Sequence, residues 1–327
     1  MTIIDVHAHW LPAELGERFT ALSGRPYRMN QSRDQSQRIA DLEQAGVDQQ
    51  VLSLGGIHPY WPERRAAADG ARFANDLYAG AVDEHAGRFL AFGALPLPHP
   101  EQAVAEAVRC LDELGFTGIG LGCSADGVAL DDPRFDEFWA EMDARAAVVC
   151  LHPGMANRAG VGVEDYPMLL GPAFGSPAET AIAVVRLALA GTIAKHPRVR
   201  FGAAAMGGSL LVSRTKLADS LARTADHPLL VDLRNADVDG VQAAVDSLWL
   251  DTGGIDDVLA HAARLAGAVE RLVFGSDALW GSPTAVAGRL RDYFTPSEVQ
   301  GVLGRGANLL LGQVCPVLGT HRPLPSQ

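Results

Sequence analysis

The sequence predicts an α/β fold, a (β/α)8 TIM barrel, on three observations. Strand-like and helix-like segments alternate along the chain, eight strand-like runs can be drawn, and 327 residues of which 48% are apolar suffice for one large barrel core. Alternation of this kind means parallel strands joined by helical crossovers. The alternative, an open doubly wound sheet, wants a Gly-rich turn after its first strand, where this chain has HAHWLP.

The elements follow in order. Ile3, Ile4 and Val6 make a first strand ending in His7-Ala8-His9, and residues 11 to 36, rich in Arg, Gln, Ser and Gly, read as a long loop over the barrel mouth. Arg38 to Gly46 is a helix with a glycine stop, and Gln50 to Leu54 is the second strand. A loop from Gly55 to Trp61 and a helix from Ala66 to Glu84 lead to a strand over Phe89 to Leu95, closed by Pro96 and Pro98. Helix 101–114 precedes strand 116–121, helix 133–144 precedes strand 147–151, and helix 177–194 precedes strand 199–204. After a less patterned stretch come strand 247–251, helix 256–265 and strand 271–275. Residues 1–312 are expected to form one domain, followed by a Pro-rich tail over 313–327.

Composition excludes several functions. A formal charge of −12 and a pI near 5.2 argue against nucleic acid and anionic membrane as partners, since either requires clustered Lys and Arg. No run of eighteen apolar residues exists and the first residues lack a signal-peptide pattern, so a cytoplasmic protein is expected. Cys110, Cys123, Cys150 and Cys315 have no CxxC spacing and read as free thiols.

In a barrel of this type the chemistry sits at the carboxyl ends of the strands. His7 and His9 alternate onto one face of the first strand, with Asp5 expected beside them. Ten histidines scattered at random give roughly 0.3 such pairs, so the pair gains meaning only from its company. That company is His152, just past the fifth strand, and Asp277, just past the eighth. Three nitrogens and a carboxylate brought to one rim suit a single divalent metal, Zn²⁺ first and Mn²⁺ second.

IDVHAH at 4–9, GVDQQVLSL at 46–54, LHPG at 151–154, MGGSL at 206–210, FGSDALW at 274–280 and ANLLLG at 307–312 together give the chain a family character. It resembles the amidohydrolase-related metal-dependent family, in the branch of aminocarboxymuconate-semialdehyde and hydroxybenzoate decarboxylases. The resemblance implies one catalytic divalent metal held by His7, His9, His152 and Asp277, with Asp277 also handling protons. It further implies a homodimer. Relatives carry a histidine immediately before a residue-Gly-Gly sequence after strand six; here Ala205 stands there, and a methyl group cannot take a proton.

His58, Tyr60 and Trp61 after strand two are candidates to line a pocket for a flat organic acid. Arg28, Arg33 and Arg38 are candidates to pair with its carboxylate. Met155, Tyr166 and Phe174 fall in a Gly/Pro-rich segment that reads as a lid, and Arg214 as a structural ion-pair partner. Two activities are expected from these residues: a metal-dependent lyase removing CO2 from a small aromatic or unsaturated carboxylic acid, or a metal-dependent hydrolase of a lactone, ester or amide. Ala205 adds a third, an impaired or silent ligand-binding barrel.

Overall fold

Short runs rich in Val, Ile, Leu and Phe form the strands that the alternation predicts. A computed structural model describes residues 2–27, 34–154, 166–224 and 238–312. Strands β1 (Ile4–His9), β2 (Gln49–Ser53), β3 (Phe89–Gly93), β4 (Gly118–Gly122), β5 (Val148–His152), β6 (Arg200–Ala203), β7 (Trp249–Asp251) and β8 (Leu272–Val273) pair in parallel in chain order. Backbone bonds from Val6 N to the Phe274 carbonyl (2.9 Å), Asp277 N to the His7 carbonyl (2.8 Å) and His9 N to the Ala278 carbonyl (2.8 Å) join the last strand to the first. The result is the (β/α)8 barrel.

Ile4, Val6, Val51, Phe92, Val148 and Val273 pack in the interior, and Leu310 and Leu311 close it from below. A larger apolar layer, including Phe19, Tyr78, Phe135 and Trp139, seats the helices on the outside of the sheet. Of the thiols, Cys110 and Cys123 are buried, Cys150 is half-buried, and all three are free. Arg214 lies in helix Leu210–Thr224 and pairs with Asp246 at 2.7 Å, the structural role expected of it. Among the described residues no helix is long and apolar enough to cross a membrane.

Two expectations need correction. Residues 11 to 36 are not one long loop: α1 occupies Ala13–Ser23, with Leu15 and Phe19 buried and Gly24 as its left-handed cap at φ 69°. Leu11, Leu15 and Phe19 recur every four residues, and that helical stripe is diluted by the polar residues between them. The less patterned stretch before strand seven also contains helices, Leu210–Thr224 and Val238–Asp246.

The second correction concerns Asp5. The register of β1 on β2 shifts between Asp5 and Ala8, so the alternation of side chains is broken there. Val6 and His7, adjacent in sequence, both line the interior cavity. Asp5 does not share the face of His7 and His9; it accepts bonds from Gln50 Nε2 (2.7 Å), Ser276 Oγ (2.6 Å) and Ser276 N (2.8 Å).

Candidate metal centre

The four residues that the strand ends single out converge. One ligand atom from each of His7, His9, His152 and Asp277 lies within 4.8 Å of the others. His7 Nε2 is 3.1 Å from His9 Nε2, and Asp277 Oδ1 is 3.0 Å from His9 Nε2 and 3.4 Å from His7 Nε2. Ligands about 2.1 Å from a common centre lie roughly 3.0 to 3.4 Å apart in octahedral or tetrahedral arrangements, so these separations match those of a coordination shell.

The proton inventory makes the same point. His7 Nδ1 faces Asp251 Oδ1 at 2.9 Å and donates to it. His9 Nδ1 lies 3.3 Å from Ser53 Oγ, whose one proton goes to the Ala8 carbonyl, so the histidine is the donor. His152 Nδ1 donates to the Pro153 carbonyl at 2.8 Å. Each imidazole has therefore committed its N–H outward and turns the Nε2 lone pair toward the same point, where a carboxylate oxygen also arrives. Four acceptors facing one another repel unless a cation, or in its absence a proton on one imidazole, lies between them. The donor set fits a divalent metal.

Local electrostatics agree. Burial opposes protonation of His7, but the carboxylates of Asp251 and Asp277 outweigh it and raise its pKa to about 9. Burial pushes His9 down, and it pushes His152 well down with the help of the neighbouring imidazoles. Asp277 is held far below the usual carboxylate range: burial opposes its ionisation, and His7, His9 and His152 around it prevail. The site thus keeps a carboxylate and neutral imidazoles, with positive charge drawn to His7 when no metal is bound.

Backbone features make room for this cluster. A Cβ on Gly55 would lie 2.3 Å from His9 Cε1, and one on Gly275 2.7 Å from His7 Cβ, so both positions require glycine. Asp277 itself has φ 55°, a left-handed conformation that Asp tolerates, and its amide donates to the His7 carbonyl at 2.8 Å. Beneath β1, the buried Arg38 does not reach the cavity. It donates to Gln50 Oε1 and to the His9 carbonyl, both at 2.6 Å, and Gln50 in turn donates to Asp5.

The other singled-out residues separate. His58 lines the same cavity as His7 and His152 and stacks on Tyr60, with ring centroids 4.8 Å apart and planes 14° apart. Tyr60 OH accepts from Gly122 N at 3.0 Å. Trp61 is buried away from the cavity, edge-on to Phe19 and donating to Tyr27 OH at 2.9 Å. Arg28, Arg33 and Met155 lie outside the described residues, as does the tail after Gly312, while Tyr166 and Phe174 are exposed. Ala205 is half-buried in the turn after β6 at φ 51°, ψ 56°, and its amide donates to Asp251 Oδ1 at 3.2 Å.

Asp251 is the residue sequence reasoning missed. It ends β7 and so meets the same rule that found His152 and Asp277, but alone it carried no partner in the sequence.

The model of the Amidohydrolase family matches residues 4–312. The chain belongs to that family. It is 34% identical over 184 residues to the Gamma-resorcylate decarboxylase of Rhizobium sp. (strain MTP-10005), covering 54% of this chain and 56% of that protein. The match thus spans about half the length of that relative. The 2-amino-3-carboxymuconate-6-semialdehyde decarboxylase of Dictyostelium discoideum is 28% identical over 285 residues, covering 85% of this chain and 77% of that one. Among solved structures, a 2,6-dihydroxybenzoate decarboxylase complexed with 2,6-dihydroxybenzoate superposes with a TM-score of 0.79 at 24% identity, covering 95% of this chain and 99% of that one. A dihydroxybenzoic acid decarboxylase from Polaromonas sp. JS666, with bound manganese and 2-nitroresorcinol, gives 0.79 at 23% identity, covering 95% and 97%. At such identities these structural likenesses speak for the fold.

Proposed function

We propose that this chain is a metal-dependent decarboxylase of a small aromatic carboxylic acid. The observation that carries the proposal is the convergence of three imidazole lone pairs and the Asp277 carboxylate on one point at the strand ends. The relatives favour the lyase over the hydrolase, since both curated proteins are decarboxylases. His7, His9, His152 and Asp277 would hold the metal, Zn²⁺ or Mn²⁺. When bound, it supplies Lewis-acid polarisation of substrate oxygens.

The chain's own residues account for the rest. In such a decarboxylation a proton adds to the ring carbon bearing the carboxylate, the C–C bond breaks as CO2 leaves, and its electron pair restores the aromatic ring. Asp277 starts ionised, because its histidine neighbours hold it so, and about a third of its side chain remains open to solvent. Its depressed pKa makes it a reluctant base but a strong acid once it carries a proton, and its solvent-open side is the route by which that proton would reach it. The apolar interior wall, including Phe92 and Trp249, lines the lower side of the cavity and disfavours water there. At position 205 no side chain can assist, so proton transfer rests on Asp277.

The test is CO2 release from 2,6-dihydroxybenzoate and related hydroxybenzoates by the metal-loaded protein, run beside a panel of lactones and esters. Activity on the first panel that is lost with a chelator and restored by Mn²⁺ or Zn²⁺ is the expected result. Turnover of the second panel alone would replace the lyase by a hydrolase.

A further inference from the structure

Among the described residues that line the cavity, His58 is a polar side chain that the metal cluster does not use. Both ring nitrogens are buried, and neither has a hydrogen-bond partner. A buried polar atom without a partner costs about 1 to 3 kcal/mol, so one that persists calls for an explanation. The other candidates differ in place or in partners, and Arg38 does not line the cavity. Arg38 is held by Gln50 and the His9 carbonyl, and Trp61 and Tyr60 have partners for their polar atoms.

His58 is also held in place. Its ring lies flat on Tyr60, whose hydroxyl is fixed by the Gly122 amide; a Cβ on Gly122 would come within 3.0 Å of Tyr60 Cε2 and 3.4 Å of His58 Cδ2. Gly122 pairs in register with His152, so the His58–Tyr60 platform adjoins a metal ligand. The imidazole is neutral across the physiological range: burial lowers its pKa to about 4, with the Gly55 backbone offsetting this a little while falling short of a hydrogen bond.

A rigid, neutral imidazole offers one donor and one acceptor, not a charge. It is therefore poorly suited to a carboxylate, which the metal and its ligands can receive. It is well suited to a hydroxyl group, which can donate to one ring nitrogen and whose position the stacked platform fixes. We propose that His58 is the specificity-determining residue that reads a ring hydroxyl of the substrate, so that the site selects hydroxylated aromatic acids over their unhydroxylated counterparts. The inference rests on the proposed function for the placing of the substrate beside the metal.

The experiment compares binding of 2,6-dihydroxybenzoate and benzoate to the Mn²⁺-loaded protein by calorimetry, in the natural sequence, His58→Phe and His58→Gln. The phenyl ring keeps the stack and removes both nitrogens, whereas glutamine keeps a donor and an acceptor. The expected result is a preference for the hydroxylated acid that falls tenfold or more in His58→Phe and is partly retained in His58→Gln, with benzoate affinity and manganese content unchanged. Equal losses for both acids, an unchanged preference in His58→Phe, or no preference in the natural sequence would overturn the assignment. Carbon dioxide release is measured separately. A His58-dependent preference without CO2 release refutes decarboxylation and leaves the hydroxyl reader standing; release without such a preference does the reverse.

Discussion

One oxygen of Asp251 lies 2.9 Å from His7 Nδ1 and 3.2 Å from the amide nitrogen of Ala205, so a single carboxylate ties the first strand to the turn after the sixth. It also accepts from Gly253 N at 2.8 Å. Such a partner fixes the tautomer of a ligating histidine and raises its basicity, and its removal typically costs about 10- to 100-fold in metal affinity. Asp251→Asn, which keeps the shape and loses the charge, is expected to weaken metal binding about tenfold. Asp251→Ala, which strands three buried donors, should weaken it further and lower stability by about 3 kcal/mol or more. Competition with a chromogenic chelator and thermal melts measure both, and undiminished affinity in the two variants would remove Asp251 from the site.

The purified protein is expected to hold about one divalent metal per chain, a stoichiometry that follows from four ligands around one point. His7→Ala or Asp277→Ala should release it or weaken it strongly. Elemental analysis after dialysis is the check. Full retention in a His7→Ala, His9→Ala double variant would sink the assignment.

Ala205→His tests whether the methyl group marks a lost catalyst. The φ of 51° is compatible with His, one of the residues found more often in left-handed conformations, and Ala205 is not a proposed metal ligand. If proton transfer is limiting, turnover on an accepted hydroxybenzoate should rise roughly 10²-fold with metal content unchanged. Robust activity in the natural sequence together with unchanged or lower turnover in the variant would show that Asp277 suffices.

The raised pKa of His7 sets a pH dependence for the metal-free protein. Its folded value of about 9 stands above the ordinary 6.5, so protonation of His7 favours the folded state fully below about pH 6.5, and that contribution is lost as pH rises to 9. Melting temperature after chelation should therefore decline across this window, less steeply in Asp251→Asn, where the largest favourable charge is gone. A metal must displace that proton, so binding near pH 7 should release protons and tighten toward pH 9. Calorimetry in buffers of different ionisation enthalpy reads the release directly; parallel melting curves for the two proteins would contradict the account.

The barrel and its four rim residues were legible because both depend on simple periodicities. Strands alternating with helices specify the fold, and residues at strand ends specify the rim, where the structure brings His7, His9, His152 and Asp277 together. The misplacing of Asp5 has the same root. Period-two alternation assumes an unbroken ladder, and the irregularity between Asp5 and Ala8 leaves no mark in composition. The α1 stripe was hidden by its polar neighbours, and Asp251 could not be recognised without knowing that β7 stands next to β8 at the level of His7. Trp61 shows a further limit: an aromatic residue after a strand reads equally as a pocket wall or as packing, and its contact with Phe19 decides for packing.

The closure of the barrel has a consequence for how the chain is made. Two of the four proposed metal ligands lie on the first strand, and the last of them, Asp277, lies 268 positions after His9, in the segment whose backbone completes the ring. During synthesis the two histidines of the first strand remain without their carboxylate partner until the 268 residues that separate His9 from Asp277 have been made. Cation capture by the full set of ligands is therefore a late event that reports the meeting of the two halves of the chain. A product stalled before Asp277 would carry the HAH motif yet lack the complete set of proposed ligands, so on the proposed assignment metal occupancy would mark molecules whose ring has closed.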